Sequence, residues 1–153
     1  VSDAKEILYQ IVHEYQFIDS TCVQEAEDFC LQHNVCKDYD DPDTYYFNNR
    51  GTFLVVVQNN KVIGTGGIKF FNDETCELKR FYFIPEARGK GLATRLMQEL
   101  MTHARARGYK KMCLEIYRPQ AQVAATRFYT KWGFHEIPHY KITTAQLSME
   151  MQL

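Results

Sequence analysis

Between a β-rich run ending at Ile84 and an amphipathic run beginning near Leu92 stands Pro85-Glu86-Ala87-Arg88-Gly89-Lys90-Gly91-Leu92-Ala93. Two glycines let a backbone turn tightly and approach a ligand closely. A helix starting there presents the unpaired N–H groups and the positive dipole end of its first turn at the same place. That combination suits a phosphate or pyrophosphate. Arg88 and Lys90 add cations for phosphate oxygens, or are simply solvated. Taken alone, the pattern also fits a plain glycine-eased strand-to-helix turn. Gly64-Thr65-Gly66-Gly67 is not a Walker-type loop, because no Lys-Ser/Thr follows and it sits inside a strand pattern; a bulge or a close backbone contact is expected there.

Other groups capable of chemistry are less organised. Asp38 to Asp43 holds four Asp within six residues, followed by the aromatics Tyr45, Tyr46 and Phe47. Such a run could receive a cationic amine by charge and cation–π contact, or form a solvated loop ahead of a strand. The five histidines show no metal spacing, although His135 and His139 fall where they could border a pocket. Five cysteines, odd in number and without a C-x-x-C pair, argue against a disulfide frame or zinc site and favour a reducing cytoplasm.

The elements that must position these residues read as mixed α and β. In residues 5–13 the alternation of Ile7, Tyr9 and Ile11 favours a strand over a short helix. From Asp19 to about Gln32 a helix is expected, with Thr21 and Gln24 as a capping box and Cys22, Ala26, Phe29 and Cys30 at helical spacing. Residues 52–58 and 61–71 form a hairpin through Asn59-Asn60, and a third strand runs from Cys76 to Ile84. Ala93, Leu96, Met97, Leu100, Met101 and Ala104 make an amphipathic helix stopped near Gly108. A strand at 110–117, a helical stripe of Ala125, Phe128, Tyr129 and Trp132 ended by Gly133, and a last alternating strand through Leu147, Met149 and Met151 complete the order. The strand–helix–strand unit implies a parallel pair at the sheet centre with antiparallel partners outside.

At 153 residues the chain fits a single domain, and 45% hydrophobic against 24% charged residues exclude a disordered tail or a fibre. A net charge of −1 gives no bulk attraction to nucleic acid or an acidic membrane. The longest apolar runs, such as Phe53 to Val57, fall far short of the ~20 residues of a bilayer span, and no basic-then-apolar leader opens the chain. Val1 in place of an initiator Met points to a trimmed or processed start.

The stretch from Glu77 through Leu78-Lys79-Arg80-Phe81-Tyr82-Phe83-Ile84 and the glycine loop to Ala93 resembles the acetyl-CoA-binding signature of the GNAT superfamily of N-acetyltransferases. Ala125 to Phe134, a helix carrying Tyr129 and ending in Gly133-Phe134, is similar to that family's second signature, in the family's order and spacing. The resemblance covers residues 50–153 as the acetyl-CoA-binding core and leaves 1–49 as the variable part that usually shapes the acceptor site. It implies one α/β (α+β) domain: a mixed, mostly antiparallel sheet with a parallel strand pair splayed around the cofactor arm, flanked by helices.

By the same resemblance, the backbone of Phe81, Tyr82 and Phe83 holds the pantetheine arm, and the amides of Arg88, Gly89, Lys90, Gly91, Leu92 and Ala93 cradle the pyrophosphate. Gln122 stands where the family often has Asn contacting the pantetheine amide, and the segment Tyr117 to Gln120 before it is slightly longer than in many members. The implied reaction moves an acetyl group from acetyl-CoA directly to a primary amine, a small molecule being favoured, in a ternary complex without a metal. A protein N-terminal or lysine acetyltransferase and a non-catalytic acyl-CoA sensor are the alternatives, and a homodimer is left open. Making an amine with pKa ~10.4 nucleophilic at pH 7 costs about 4–5 kcal/mol, so a base or a water path is needed. Glu77 matches the position of the base in the histone-acetyltransferase branch and is the favoured candidate, Glu115 resembles the base of some N-terminal protein acetyltransferases, and the alternative for each is an ordinary strand Glu facing solvent. Tyr129 occupies the general-acid position. Since a phenol near ~10 is a weaker acid than a thiol near ~8.5, hydrogen bonding to the departing thiolate is the expected role.

Overall fold

The computed structural model describes residues 2–15 and 19–153. Helix α1 (Ser2–Glu14) comes first, where the sequence pattern favours a strand. Ala4, Ile7, Leu8, Ile11 and Val12 recur at helical offsets and are all buried. Tyr9, which created the apparent alternation, is buried as well, in a second small core with Ala26, Cys30, Cys36 and Tyr39. The helix is therefore covered over a wide arc, and a wide arc blurs its period. Helix α2 (Val23–Gln32) follows as expected, but its cap differs: Cys22 is the N-cap, and Glu25 rather than Gln24 reaches back to accept from the Thr21 N–H at 2.5 Å. Two short helices, α3 (Lys37–Asp40) and α4 (Pro42–Tyr45), replace the solvated loop expected across the acidic run.

Strands β1 (Thr52–Gln58) and β2 (Lys61–Phe70) form the expected hairpin, and Asn59 and Asn60 take positive φ of 50° and 60°. Strand β3 (Thr75–Phe83), helix α5 (Leu92–Ala106), strand β4 (Lys111–Ile116), helix α6 (Val123–Trp132) and strands β5 (His135–Ile137) and β6 (Leu147–Gln152) complete one six-stranded sheet. Its order is β1-β2-β3-β4-β6-β5, with β3–β4 the one parallel pair among the described residues. The main core lies on the α5 and α6 side of the sheet, where Leu96, Met97, Leu100, Met101 and Ala104 of α5 pack on Ile68, Leu78, Met112 and Leu114. Helices α1 and α2 cover the other side. No helix is long and apolar enough to cross a membrane among the described residues.

Two irregularities position the site. The parallel ladder joins only Thr75, Cys76 and Glu77 to Lys111, Met112 and Cys113, so beyond that point β3 and β4 diverge. The β2–β3 register shifts between Thr65 and Gly67, leaving Arg80 in the left-handed region at φ 54°, its carbonyl held by the Thr65 hydroxyl at 2.7 Å. The bulge expected at the Gly64–Gly67 run is thus present. A Cβ on Gly66 would stand 3.0 Å from Leu100 and Phe81 side chains, so that glycine also permits close packing under the bulge.

Candidate functional site

A cavity of about 1000 Å³ opens where β3 and β4 part. Phe81, Tyr82 and Phe83 of β3 form one wall, Leu114, Glu115 and Ile116 of β4 the other, and Ala125, Phe128 and Tyr129 of α6 the floor. Leu8, Ile11 and Val12 of α1, Tyr15 just after it and Phe29 of α2 close it from the opposite side. One mouth is the glycine loop. Gly91 caps α5 at φ 76° and Gly89 stands at φ 72°, so the first helical turn aims its free N–H groups at the cavity end.

Of the residues expected at this cradle, Arg88, Gly89, Gly91 and Ala93 line the cavity, while Lys90 is exposed and Leu92 packs on the core. The Arg88 N–H is already taken by the Pro85 carbonyl at 3.1 Å. Its guanidinium turns away as well, giving a fork to Glu14 at 2.5 and 2.7 Å and a bond to the Phe83 carbonyl at 3.1 Å. Gln122 lines the cavity at the N-cap of α6, with its Oε1 accepting from the Arg118 N–H at 3.1 Å.

Tyr129 is 8% exposed and lines the cavity among Phe81, Phe128 and Phe134. Burial pushes its phenol pKa well above the ordinary value, so the hydroxyl stays protonated as a hydrogen-bond donor. Glu115 also lines the cavity. Its side chain is 2% exposed, Lys141 Nζ comes within 3.1 Å of Oε2, and neither carboxylate oxygen accepts an aligned hydrogen bond. Glu77 does not line the cavity. It is buried, accepts from Tyr140 Oη at 2.8 Å and from Lys141 Nζ, and has Lys79 Nζ at 4.0 Å. Burial alone would raise its pKa, but the two lysines and the Tyr140 hydroxyl outweigh it and hold the carboxyl below its ordinary range.

Lys141 is the residue that sequence reading missed. It spans both candidate bases from a segment with no periodic pattern, and burial, which would lower its pKa, is overcome by Glu77 and Glu115. Outside the cavity fall several other candidates. His139 Nδ1 pairs with Ser148 Oγ at 2.7 Å, and His135 is exposed on β5. In the acidic run, Asp38 receives a fork from Arg80 at 2.9 Å and the Tyr46 hydroxyl at 2.7 Å. Asp40 pairs with Lys5, and Asp41 caps α4. Asp38 thus ties α3 to strand β3, Asp40 ties it to α1, Asp41 serves its own helix, and none of the three lines the cavity. All five cysteines are free thiols, four of them buried.

Comparison with known proteins agrees with this architecture. An uncharacterized N-acetyltransferase of Escherichia coli (strain K12), YjgM, is 33% identical over 104 residues, which is 66% of this chain and 61% of that protein. The chain thus spans less than two thirds of that curated relative. An acetyltransferase from Streptococcus agalactiae superposes with a TM-score of 0.81 at 22% identity, over 99% of this chain and 90% of that one. The PaiA N-acetyltransferase of Thermoplasma acidophilum, solved in complex with coenzyme A, superposes at 0.72 with 20% identity, over 99% and 94%. The model of the acetyltransferase (GNAT) family matches residues 12–134, a span that holds the splayed strands, the glycine loop and Tyr129 together, and the chain belongs to that family.

Proposed function

We propose that this chain moves the acetyl group of acetyl-CoA directly to a primary amine of a small molecule, both substrates being bound at once. The observation that carries the reading is the β3–β4 gap, which joins a phosphate cradle at one end to Glu115 and Tyr129 within a single cavity. Past Glu77 the edge of β3 facing β4 has lost its strand partner, so apart from the Arg80 and Phe83 carbonyls, held by Thr65 and Arg88, its backbone can bond the amides of a pantetheine arm as a strand would. The coenzyme A held by the T. acidophilum neighbour supports that choice of donor. Enclosure by α1 and α2 supports a small acceptor over a folded protein surface.

In this mechanism the acceptor ammonium gives one proton to Glu115, and the neutral amine attacks the thioester carbonyl. The C–N bond forms, the C–S bond breaks, and the leaving thiolate accepts a hydrogen bond from the Tyr129 hydroxyl while the second amine proton returns to sulfur. Glu115 is favoured over Glu77 because it lines the cavity and its oxygens are not already held by aligned donors.

Two outcomes test the parts. Tyr129→Phe should keep the fold, since the ring still packs on Phe81 and Phe134, and should lower kcat about 10–150-fold, the equivalent of ~1.5–3 kcal/mol for a bond to developing charge. An earlier melt with normal turnover would leave Tyr129 a packing residue. Gly91→Val meets no atom within 4 Å, so crowding in the free protein is not the cost; the strain is the left-handed φ, of order 1–3 kcal/mol. Calorimetry should show weaker CoA binding, because relaxing that φ re-aims the first amides of α5. Retained affinity would remove the phosphate-cradle assignment.

A further inference from the structure

Two charged groups on the cavity wall have no aligned hydrogen-bond partner of opposite charge among the described residues. Lys79 lines the cavity with its side chain 28% exposed, yet among the described residues it donates no hydrogen bond, and its ion-pair contact, Glu77 Oε1, stands at 4.0 Å. Glu77 is already held by Lys141 and Tyr140. Glu115, opposite, has Lys141 Nζ at 3.1 Å from one oxygen, but its two buried oxygens accept no aligned hydrogen bond. These two residues are neighbours by register. The ladder pairs Glu77 with Cys113, and two residues further along each parallel strand, on the same face, stand Lys79 and Glu115 where the strands have begun to part. The cavity-lining guanidiniums of β3 and the glycine loop are committed, Arg80 to Asp38 and Arg88 to Glu14.

We infer that Lys79 and Glu115 together select an acceptor that carries a carboxylate beside its amine, the chemistry of a free amino acid, with the carboxylate on Lys79 and the amine on Glu115. This rests on the acetyltransferase reading above and names its substrate class. An ammonium kept largely from water without an aligned anion is unfavourable, and the ligand's carboxylate removes that deficit. A polyamine would instead bring a further cation toward Lys79 and Lys141. Burial, aided by the charges of Lys141 and Arg80, lowers the pKa of Lys79 despite Glu77 and Glu115, and an arriving carboxylate favours its charged form.

The test compares L-α-amino acids with their own C-terminal carboxamides, which keep the amine and lose the negative charge. CoA release should favour the acid over the amide in kcat/KM by about 10–100-fold, the worth of a charged hydrogen bond in a partly buried site. In Lys79→Met that ratio should collapse toward one through a rise in KM for the acid, and Lys79→Arg should restore most of it. Amides equal to acids in the native protein, or a ratio unchanged in Lys79→Met, would overturn the inference. Calorimetry of the same pairs on the CoA-loaded protein separates the two levels. Acid-selective binding lost in Lys79→Met but without turnover would keep this site and sink the transferase reading. Turnover of amines with no acid preference would do the reverse.

Discussion

Glu115→Gln should lower kcat/KM toward the amine acceptor by roughly 10²–10⁴-fold at neutral pH while leaving acetyl-CoA affinity within a few-fold of native. The amide has nearly the shape of the carboxylate but cannot take the ammonium proton, so the loss belongs to the chemical step. Glu115 is the carboxylate on the cavity wall, and Lys141 lies 3.1 Å from it. Glu77→Gln should behave differently. Its carboxylate neutralises Lys141 and receives Tyr140 outside the cavity, so the larger change should be in thermal stability. Each variant is to be followed by CoA release and by melting. A greater loss of kcat in Glu77→Gln than in Glu115→Gln would transfer the base role to Glu77, with Lys141 as its positioning partner.

Asp38→Ala should be the most destabilising of these substitutions, by about 3–5 kcal/mol, because it strands the Arg80 guanidinium without its anion. The side chains of the pair are 16% and 10% exposed, and Arg80 Nη2 bonds the Val35 carbonyl at 2.8 Å besides Asp38. Those contacts tie the bulge on β3 to the helices of the N-terminal part, so the damage reaches the cavity wall. For a domain of this size the melting temperature should fall by roughly 6–20 °C. Acid provides a second reading. Burial alone would raise the Asp38 pKa, but the Arg80 fork and Tyr46 hydroxyl hold it below the ordinary range. A depressed folded pKa gives stability that is present above the unfolded value, about 4, and is lost as pH falls through the folded one. The native melting curve should therefore drop as pH falls below about 4, and the Asp38→Ala curve should drop less steeply. A shift of under ~1 kcal/mol would show the pair to be dispensable.

How far the sequence reached depends on the range of the forces at each position. The Asn59-Asn60 turn, the α5 stripe, the Gly91 cap and the Gly133 stop are local: side-chain period and permitted φ are written within a few neighbours, and these elements stand where they were expected. Residues 5–13 were misjudged because burial on more than one side of α1 erases the polar positions that mark a period. The acidic run looked like a receiver for cations because charge pattern alone does not show that Asp38 meets Arg80, 42 residues away. Lys141 was invisible for the same reason: its partners Glu77 and Glu115 lie on two different strands, and only the closed sheet brings them within reach. Lys79 lay inside the recognised stretch, but its lack of an aligned anion is a fact of geometry and not of spacing.

Direct transfer within one cavity is tested most sharply by initial rates of CoA release, measured over a grid of acetyl-CoA and amine concentrations with the mass of the amine product followed in parallel. The account predicts double-reciprocal lines that intersect and an amine heavier by one acetyl group, with no acetylated protein on the path. Parallel lines together with an acetylated protein intermediate that discharges to the amine would contradict it.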